Sequence, residues 1–187
     1  FNLGKMYEQG KGVPQDNKMA VKWYRRVADG DENVATPRGY FADWKRGRFE
    51  QDRDRFESDG DGVKKYVSFN VVWVSYKASA QAALGNMYEH GQGVPQDYKL
   101  ALKWYTLAAE QGYASAQTYL GTMYYAGQGG LIENNVYAHM WFNIGFSNGD
   151  ENGGKNRDVV AKRMTPSQIE KAQDLARECV KKNYKGC

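Results

Sequence analysis

One block of this sequence, residues 80–112, is repeated on both sides of itself, and this repetition constrains the fold more than any single residue does. Its marks are a Leu-Gly pair, a tyrosine three residues after that glycine, a Gly-x-Gly turn and a tryptophan followed by a second aromatic residue. Shifts of 81 and 36 positions lay Leu84 of this block on Leu3 and on Leu120. Periods of roughly 35 to 45 residues are typical of solenoids, in which each unit buries its apolar face only by stacking on neighbours.

The first part of the block predicts a helix of about three turns, because its apolar residues recur at three- and four-residue spacing. These apolar residues are Ala80, Ala83, Leu84, Met87 and Tyr88. Gly85 lies on the same face, where a glycine lowers helix stability by about 1 kcal/mol relative to alanine. We therefore expect a neighbouring helix to approach closely at Gly85.

The second part of the block predicts a turn and a second helix. Gly91 suits the left-handed position that ends the first helix, while Pro95 and Asp97 suit the start of the next. The apolar face of the second helix consists of Leu100, Ala101, Trp104, Leu107 and Ala108. Two antiparallel helices joined in this way form the repeating unit of a right-handed superhelical stack.

The block has the pattern A-x-x-x-L-G-x-x-Y-x-x-G-x-G-V-x-x-D-x-x-x-A-x-x-W-Y-x-x-A-A-x-x-G, which resembles the Sel1-like repeat, a relative of the tetratricopeptide repeat with a longer loop. The resemblance implies an all-α fold, an α-solenoid of stacked antiparallel helix pairs, in a protein of bacterial origin. We predict a single solenoid over residues 1–187, with clear units at 1–30, 78–112 and 114–149 and a C-terminal capping helix at about 165–183.

Residues 31–77 follow the repeat only loosely and are predicted to be degenerate or irregular. Trp73 follows Val63 by ten residues, as Trp104 follows Val94, and this spacing predicts a helix over 65–76 despite a composition that favours strands. Further upstream, residues 39–52 keep the length of residues 3–16 in the first unit, which suggests a vestigial unit with a place in the stack. The alternative is an irregular or disordered insertion with the highest mobility in the chain.

The end of the chain carries the start signature of a helix, because Thr165 supplies a capping hydroxyl, Pro166 a first-turn proline and Gln168 the reciprocal cap. The residues expected to face the core are Ile169, Ala172, Leu175, Ala176 and Cys179. Those expected to face solvent are Glu170, Lys171, Asp174, Arg177, Lys181 and Lys182. A polar outer face is what the terminal element of a solenoid requires.

The two cysteines, Cys179 and Cys187, are close enough in sequence to close a small loop at the end of the capping helix. Two free thiols are the alternative. An even pair at the end of an otherwise cysteine-free chain favours a disulfide and an oxidising compartment. A periplasmic or secreted location is therefore favoured over a cytoplasmic one.

Charge and hydropathy exclude several classes of protein. The chain has 26 Lys and Arg against 22 Asp and Glu, and both signs are interspersed, so no nucleic-acid-binding stripe is predicted. No apolar run approaches the roughly 18 residues that a membrane span needs. Phe1 lies only two residues before its Leu-Gly pair, so we expect the first helix to lack its opening turn and the chain to be a fragment or a processed product.

The residues that carry chemistry are few, and neither a metal nor a cofactor is predicted. His90 and His139 are the two histidines, and they form no metal-binding pair with each other or with the cysteines. An acidic run around Asp59 fails as a calcium loop, because Asn70 stands where a bidentate glutamate is required. We expect His90 to cap a helix end and His139 to be packed, and we do not predict an enzyme.

With metal, cofactor and enzyme chemistry not predicted, the remaining expectation is a binding surface. The resemblance implies a scaffold or adaptor that binds a protein or peptide, and we expect a monomer. If the first helix of each unit lines the concave wall, the candidate binding residues are Lys5, Glu8, Gln9, Asn86, Glu89, His90, Thr122 and Tyr125, with Ala126 beside them. An immunity-type inhibitor of a single toxin and a hydrolase are the alternatives.

Overall fold

In the computed structural model, the described residues are 1–31 and 69–187, and only the backbone is described for residues 69–74. This part of the chain consists of eight helices and contains no strand, which confirms the predicted all-α class. The helices are α1 Asn2–Gln9, α2 Asn17–Ala28, α3 Phe69–His90, α4 Tyr98–Ala109, α5 Ala114–Ala126, α6 Asn135–Ser147, α7 Glu151–Ala161 and α8 Pro166–Lys181.

The helices form two layers. Each helix from α1 to α6 packs on the next one along the chain, α5 also touches α7, and α8 packs on α6. We call the layer of α1, α3, α5 and α7 wall A, and the layer of α2, α4, α6 and α8 wall B. Repeats 1, 2 and 3 are the pairs α1–α2, α3–α4 and α5–α6, and the solenoid predicted from the sequence is confirmed.

The turn inside each repeat has the same geometry in all three copies. The first helix ends at Gly10, Gly91 or Gly127, whose φ angles are 67°, 67° and 62°. The second helix begins after Asp16, Asp97 or Asn134, and each of these side chains accepts a hydrogen bond from a backbone N–H of the first helical turn. The caps predicted at Gly91 and Asp97 are therefore confirmed, and their recurrence fixes the angle between the paired helices.

The glycine of each Leu-Gly pair receives an aromatic ring from the second helix of the same repeat. A Cβ atom added to Gly85 would lie 2.5 Å from the ring of Tyr105, so only glycine fits. The close approach predicted there is confirmed, and the residue that makes it is Tyr105, which is fully buried. The corresponding pairs in the other repeats are Gly4 with Tyr24 and Gly121 with Phe142.

A second glycine joins each repeat to the one before it. A Cβ atom on Gly93 would lie 2.4 Å from the backbone carbonyl carbon of Asn17, at the start of α2. A Cβ atom on Gly129 would lie 2.7 Å from the carbonyl oxygen of Tyr98, at the start of α4. The turn of one repeat therefore rests against the backbone of the preceding one at equivalent positions of both junctions.

Two buried glutamines repeat the same relationship. The Nε2 atom of Gln81 donates a hydrogen bond to the carbonyl oxygen of Ala28 at 3.4 Å. The Nε2 atom of Gln117 donates to the carbonyl oxygen of Ala109 at 3.2 Å. Each glutamine also accepts from a side-chain amide at the end of its own repeat, that of Gln111 or Asn148. The amide nitrogen and the amide oxygen of each glutamine thus both form hydrogen bonds that join helix termini at a junction.

Repeats 1 and 2 are therefore direct neighbours, although more than forty residues separate α2 from the repeat-like part of α3. They touch through the contacts that also join repeats 2 and 3. The hypothesis of a vestigial unit stays a prediction. The residues on which it rested, 39–63, lie outside the described residues.

Helix α3 is 22 residues long and joins two elements that the sequence separated. From Phe69 onward the chain is helical, so helix was the correct choice over strand there, while 65–68 lie outside the described residues. The prediction that this helix ends near Tyr76, before a new one begins at Ala80, is wrong. The sequence from Phe69 to Leu84 contains no glycine or proline, so nothing ends the helix.

The last two helices close the stack. Helix α7 was not predicted, because its sequence lacks an apolar stripe and carries Gly153 and Gly154, which let it approach α6 closely. Helix α8 begins with the predicted capping box, since Thr165 and Gln168 cap each other's backbone N–H groups. Its predicted core residues are buried or partly buried and its predicted polar face is exposed.

The tail after α8 folds back onto the stack. Cys179 and Cys187 are disulfide-bonded in the structure, with their Cα atoms 5.5 Å apart. The hydroxyl of Tyr184 donates to Oδ1 of Asn148 at 3.2 Å, and a Cβ atom on Gly112 would meet the Tyr184 ring at 3.5 Å. The bond therefore holds the tail against the junction of repeats 2 and 3.

Replacing Cys187 by serine is expected to lower the free energy of unfolding by about 2 kcal/mol. The reason is that the disulfide no longer cross-links two positions, eight residues apart, in the unfolded chain. Urea denaturation without reductant measures the loss. With reductant present, the wild-type and variant proteins should unfold at the same urea concentration. Alkylation of the untreated protein that labels both thiols would contradict the bond.

Candidate functional site

The sequence-predicted binding residues lie on the helices of wall A, in three rows that run along the stack. Residues at equivalent positions of repeats 1, 2 and 3 form each row: Lys5, Asn86 and Thr122; Glu8, Glu89 and Tyr125; Gln9, His90 and Ala126. Among the predicted side chains, Lys5, Gln9 and His90 are exposed and the other five are partly buried. The rows therefore combine free side chains with side chains that also support the fold.

The two glutamates of the middle row are hydrogen-bonded to buried tyrosines. The hydroxyl of Tyr24 donates to Oε2 of Glu8 at 2.6 Å, and that of Tyr105 donates to Oε2 of Glu89 at 2.7 Å. Burial first, and then the adjacent glutamate, raises the pKa of both tyrosines. Both hydroxyls therefore stay protonated donors, and both glutamates serve the framework as well as the surface.

Repeat 3 changes both members of this pair together. Phe142 replaces the tyrosine and lacks the hydroxyl, while Tyr125 replaces the glutamate. The ring of Tyr125 instead faces the Arg163 guanidinium, 5.4 Å from the ring centroid. This coordinated change is a signal, present in the sequence, that could have identified the hydrogen bond before the structure did.

Local hydrogen bonds close the C-terminal ends of the wall A helices. The Nε2 atom of Gln15 donates to the carbonyl oxygen of Glu8 at 2.9 Å, and Gln96 does the same to Glu89 at 2.7 Å. Nδ1 of His90 lies 3.0 Å from the carbonyl oxygen of Asn86. These contacts leave the outer part of the His90 ring in solvent, at the end of its helix as the sequence predicted.

His139 lies between α6 and α7 and is only 3% exposed, so the expectation of a packed histidine is confirmed. Its Nδ1 atom has no hydrogen-bond partner among the described residues. Burial, and after it the positive charge of Arg157, lowers the pKa of His139, while Asp158 acts in the opposite direction. The imidazole is therefore held neutral in the folded protein near neutral pH.

The sequence pattern of the Sel1 repeat family matches residues 1–31, 78–113 and 114–150, which together make up more than half of the chain. The chain belongs to the Sel1 repeat family. Proteins of this family are generally protein-interaction scaffolds and are typically not catalysts, so the family implies a protein partner for this member.

The Sel1 repeats of this chain are similar to proteins from a yeast and from bacteria. Chitin synthase regulatory factor 3 of Schizosaccharomyces pombe is 28% identical over 146 residues, which is 75% of this chain and 15% of that protein. A protective antigen of uropathogenic Escherichia coli with an SLR fold is 28% identical, with a TM-score of 0.55, over 98% of this chain and 38% of that one. A Sel1 repeat protein from Oxalobacter formigenes is 26% identical, with a TM-score of 0.54, over 85% of both chains.

These relatives limit what can be carried over to this chain. This chain spans well under half the length of the yeast and Escherichia coli proteins, so their activities as whole proteins are not transferred to it. Because a yeast protein is among them, a bacterial origin stays a prediction.

Acidification is expected to destabilise this Sel1 array through His139. Because the folded-state pKa of His139 is lowered, the unfolded chain binds its proton more readily, so stability falls as the pH drops below about 6.5 and is retained at higher pH. Urea denaturation at several pH values measures the effect. His139→Leu should reduce this pH dependence, and an unchanged pH dependence in this variant would contradict the expectation.

The described part of the Sel1 array shows neither a metal-binding cluster nor a helix suited to a membrane. Within residues 1–31 and 69–187, no three His, Cys, Asp or Glu side chains cluster as metal ligands do. In the same residues no helix is both long and apolar enough to cross a membrane. The acidic run that was tested as a calcium loop, around Asp59, lies outside the described part of the chain.

Proposed function

We propose that this Sel1 repeat protein is a scaffold that binds a protein or peptide along wall A. The observation that supports it is a contrast between two sets of equivalent residues. Framework contacts such as those of Gly93 and Gly129 repeat from junction to junction. Two of the three rows of wall A do not repeat: Lys5, Asn86 and Thr122 share a position but not a chemistry, and the same holds for Gln9, His90 and Ala126.

A partner that runs across the helices would meet a different side chain on each one. Packed helices lie about 10 Å apart, and an extended peptide advances about 3.3 Å per residue, so roughly three residues of the partner span one repeat. The side chains of wall A on successive repeats then contact separate positions of one peptide segment of the partner. The binding free energy comes from several repeats, each of which adds a small contact.

The test is selection from a displayed library of random peptides, followed by affinity measurements on the peptides obtained. Lys5→Glu combined with His90→Glu changes two exposed side chains of wall A and is expected to weaken binding about tenfold, with an unchanged melting temperature. Lys181→Glu, an exposed position on α8, is the matched control and should bind as the wild type does. Equal affinity of all three proteins would place the partner elsewhere.

A different pair of substitutions follows from the sequence alone, namely charge reversal of Glu89 with alanine at Tyr125. The sequence predicts no change in melting temperature for this pair. The structure contradicts that expectation, because Glu89 accepts the hydrogen bond of the buried Tyr105 hydroxyl and its reversal leaves that donor unpaired. Lys5 and His90 are therefore better probes of binding.

The competing functions differ from a scaffold in what they would bind. An immunity-type inhibitor would form one tight complex with a single toxin, whereas a scaffold would accept several partners. A hydrolase would require a histidine joined to a serine, cysteine or carboxylate, and Nδ1 of His90 faces a backbone carbonyl instead. The proposal further takes the protein to act as a monomer and without nucleic acid, which light scattering and a nucleic-acid binding assay would test.

A further inference from the structure

A partly exposed tyrosine ring lies on wall A where repeat 2 meets repeat 3. Tyr119 on α5 is 38% exposed, which is high for an aromatic side chain at a junction. Its ring stacks on that of Tyr105, with 4.8 Å between centroids and 27° between planes. Since stacking uses one face of the ring, the exposed part of Tyr119 remains available to another group.

Two carboxylates act on this ring. Glu89 accepts the Tyr105 hydroxyl at Oε2, and Asp150, the N-cap of α7, accepts the backbone N–H of Asn152 at Oδ1. Each carboxylate thus has a second oxygen that these hydrogen bonds do not use. Asp150 lies beside the helix of Tyr119, because its backbone N–H donates to the carbonyl oxygen of Gly145 at 2.9 Å and Gly145 packs against Thr118, the residue before Tyr119. After burial, the charges of Asp150 and Glu89 are the next largest causes that raise the pKa of Tyr119.

Resting on the proposed function, we propose that Glu89, Tyr119 and Asp150 receive a basic side chain, arginine or lysine, from the bound partner. The face of a tyrosine ring attracts a cation, and arginine can stack on it while its N–H groups donate to carboxylate oxygens. The unused oxygens of the two carboxylates match this requirement. An acidic or neutral side chain would gain neither contact.

The chain contains its own comparison at the junction of repeats 1 and 2. Glu8 and Tyr24 correspond there to Glu89 and Tyr105 and make the same hydrogen bond. The position of Tyr119 is occupied by Ala83, so this junction has the carboxylate without the stacked ring. We therefore expect the basic side chain to bind at the junction of repeats 2 and 3 and not at the other.

The test uses Nα-acetyl-arginine amide as the probe and its citrulline analogue, which has the same shape without the charge, as the control ligand. In NMR titrations, the arginine probe should shift the amide resonances of Glu89, Tyr119 and Asp150, and the citrulline probe should not. Glu89→Gln, Tyr119→Leu and Asp150→Asn are each expected to weaken arginine binding about fivefold. Glutamine can still accept the Tyr105 hydroxyl and asparagine can still cap α7, so the fold is preserved.

Glu8→Gln is the matched control variant and should leave arginine binding unchanged. Equal shifts from the arginine and citrulline probes, or full binding by the three variants, would overturn the inference. If selected peptides bind wall A with an affinity that none of the three substitutions changes, the basic-side-chain site is overturned while the proposed function stands. Arginine binding at this junction without any selected peptide would support the basic-side-chain site and count against the broader scaffold.

Discussion

Gly93→Ala is expected to lower the free energy of unfolding by about 3 kcal/mol, through backbone strain and overpacking together. The added Cβ atom would lie 2.4 Å from the backbone carbonyl carbon of Asn17, and a backbone atom cannot move aside as the end of a side chain can. The φ angle of 72° adds the cost of a left-handed conformation for an alanine. Urea denaturation measures the change.

Gly12→Ala is the matched control, because Gly12 occupies the same turn position in repeat 1 and has a φ angle of 75°. Its added Cβ atom would meet only the flexible end of Met6, at 3.3 Å. Strain alone should then cost about 1 kcal/mol. The difference between the two variants measures the contact between repeats 1 and 2, and equal losses would mean that this contact contributes nothing.

Gln117→Leu is expected to lower the free energy of unfolding by about 2 kcal/mol, because it keeps the volume of the side chain and removes its two hydrogen bonds, each worth about 1 kcal/mol. Gln117 is 0% exposed, and its side chain bonds the Ala109 carbonyl and the Asn148 amide at the junction of repeats 2 and 3. Neither partner is left unpaired, since the Ala109 carbonyl also accepts the Gly112 backbone N–H at 2.9 Å and Asn148 is exposed to water. Thermal and urea denaturation should both report the loss.

Gln96→Leu is the control for that substitution. Gln96 also donates from Nε2 to a backbone carbonyl, that of Glu89 at 2.7 Å, but its side chain is exposed. Water can replace the lost bond there, so the change should be within about 0.5 kcal/mol. A loss at Gln117 no larger than at Gln96 would show that burial does not govern these contacts.

The local features of the fold could be predicted from the sequence because their signals are local. The left-handed turn at Gly91, the cap at Asp97 and the capping box at Thr165 each depend on residues within a few positions of one another. The close approach at Gly85 followed from the cost of a glycine within an apolar face. These features recur in each repeat, and recurrence distinguishes them from chance.

The contact between repeats 1 and 2 could not be predicted, because spacing along the chain does not specify which surfaces touch. Trp73 follows Val63 at the spacing that Trp104 keeps from Val94, and this match suggested one more unit. The contact of Gly93 with Asn17 shows that repeats 1 and 2 are direct neighbours, which no spacing in the sequence indicated. Helix α7 was missed for a different reason, since it has no apolar stripe and docks through glycines.

The candidate site was predicted in outline but not in chemistry. The rows of wall A follow from the repeat, whereas the hydrogen bond of Glu89 depends on a tyrosine 16 residues away. Tyr119 was not selected at all, because Ala83 stands at its position in repeat 2 and no pattern marks it.

The direct contact of repeats 1 and 2 also has a consequence for how firmly the first repeat is tethered. Gln81 and its partner Ala28 are 53 residues apart in sequence, whereas Gln117 and Ala109 are 8 apart, yet the two hydrogen bonds are equivalent. Closing a chain over 53 positions costs about 2 kcal/mol more in entropy than closing it over 8. The effective concentration of repeat 1 at its junction is correspondingly lower, so that end of the array should detach first.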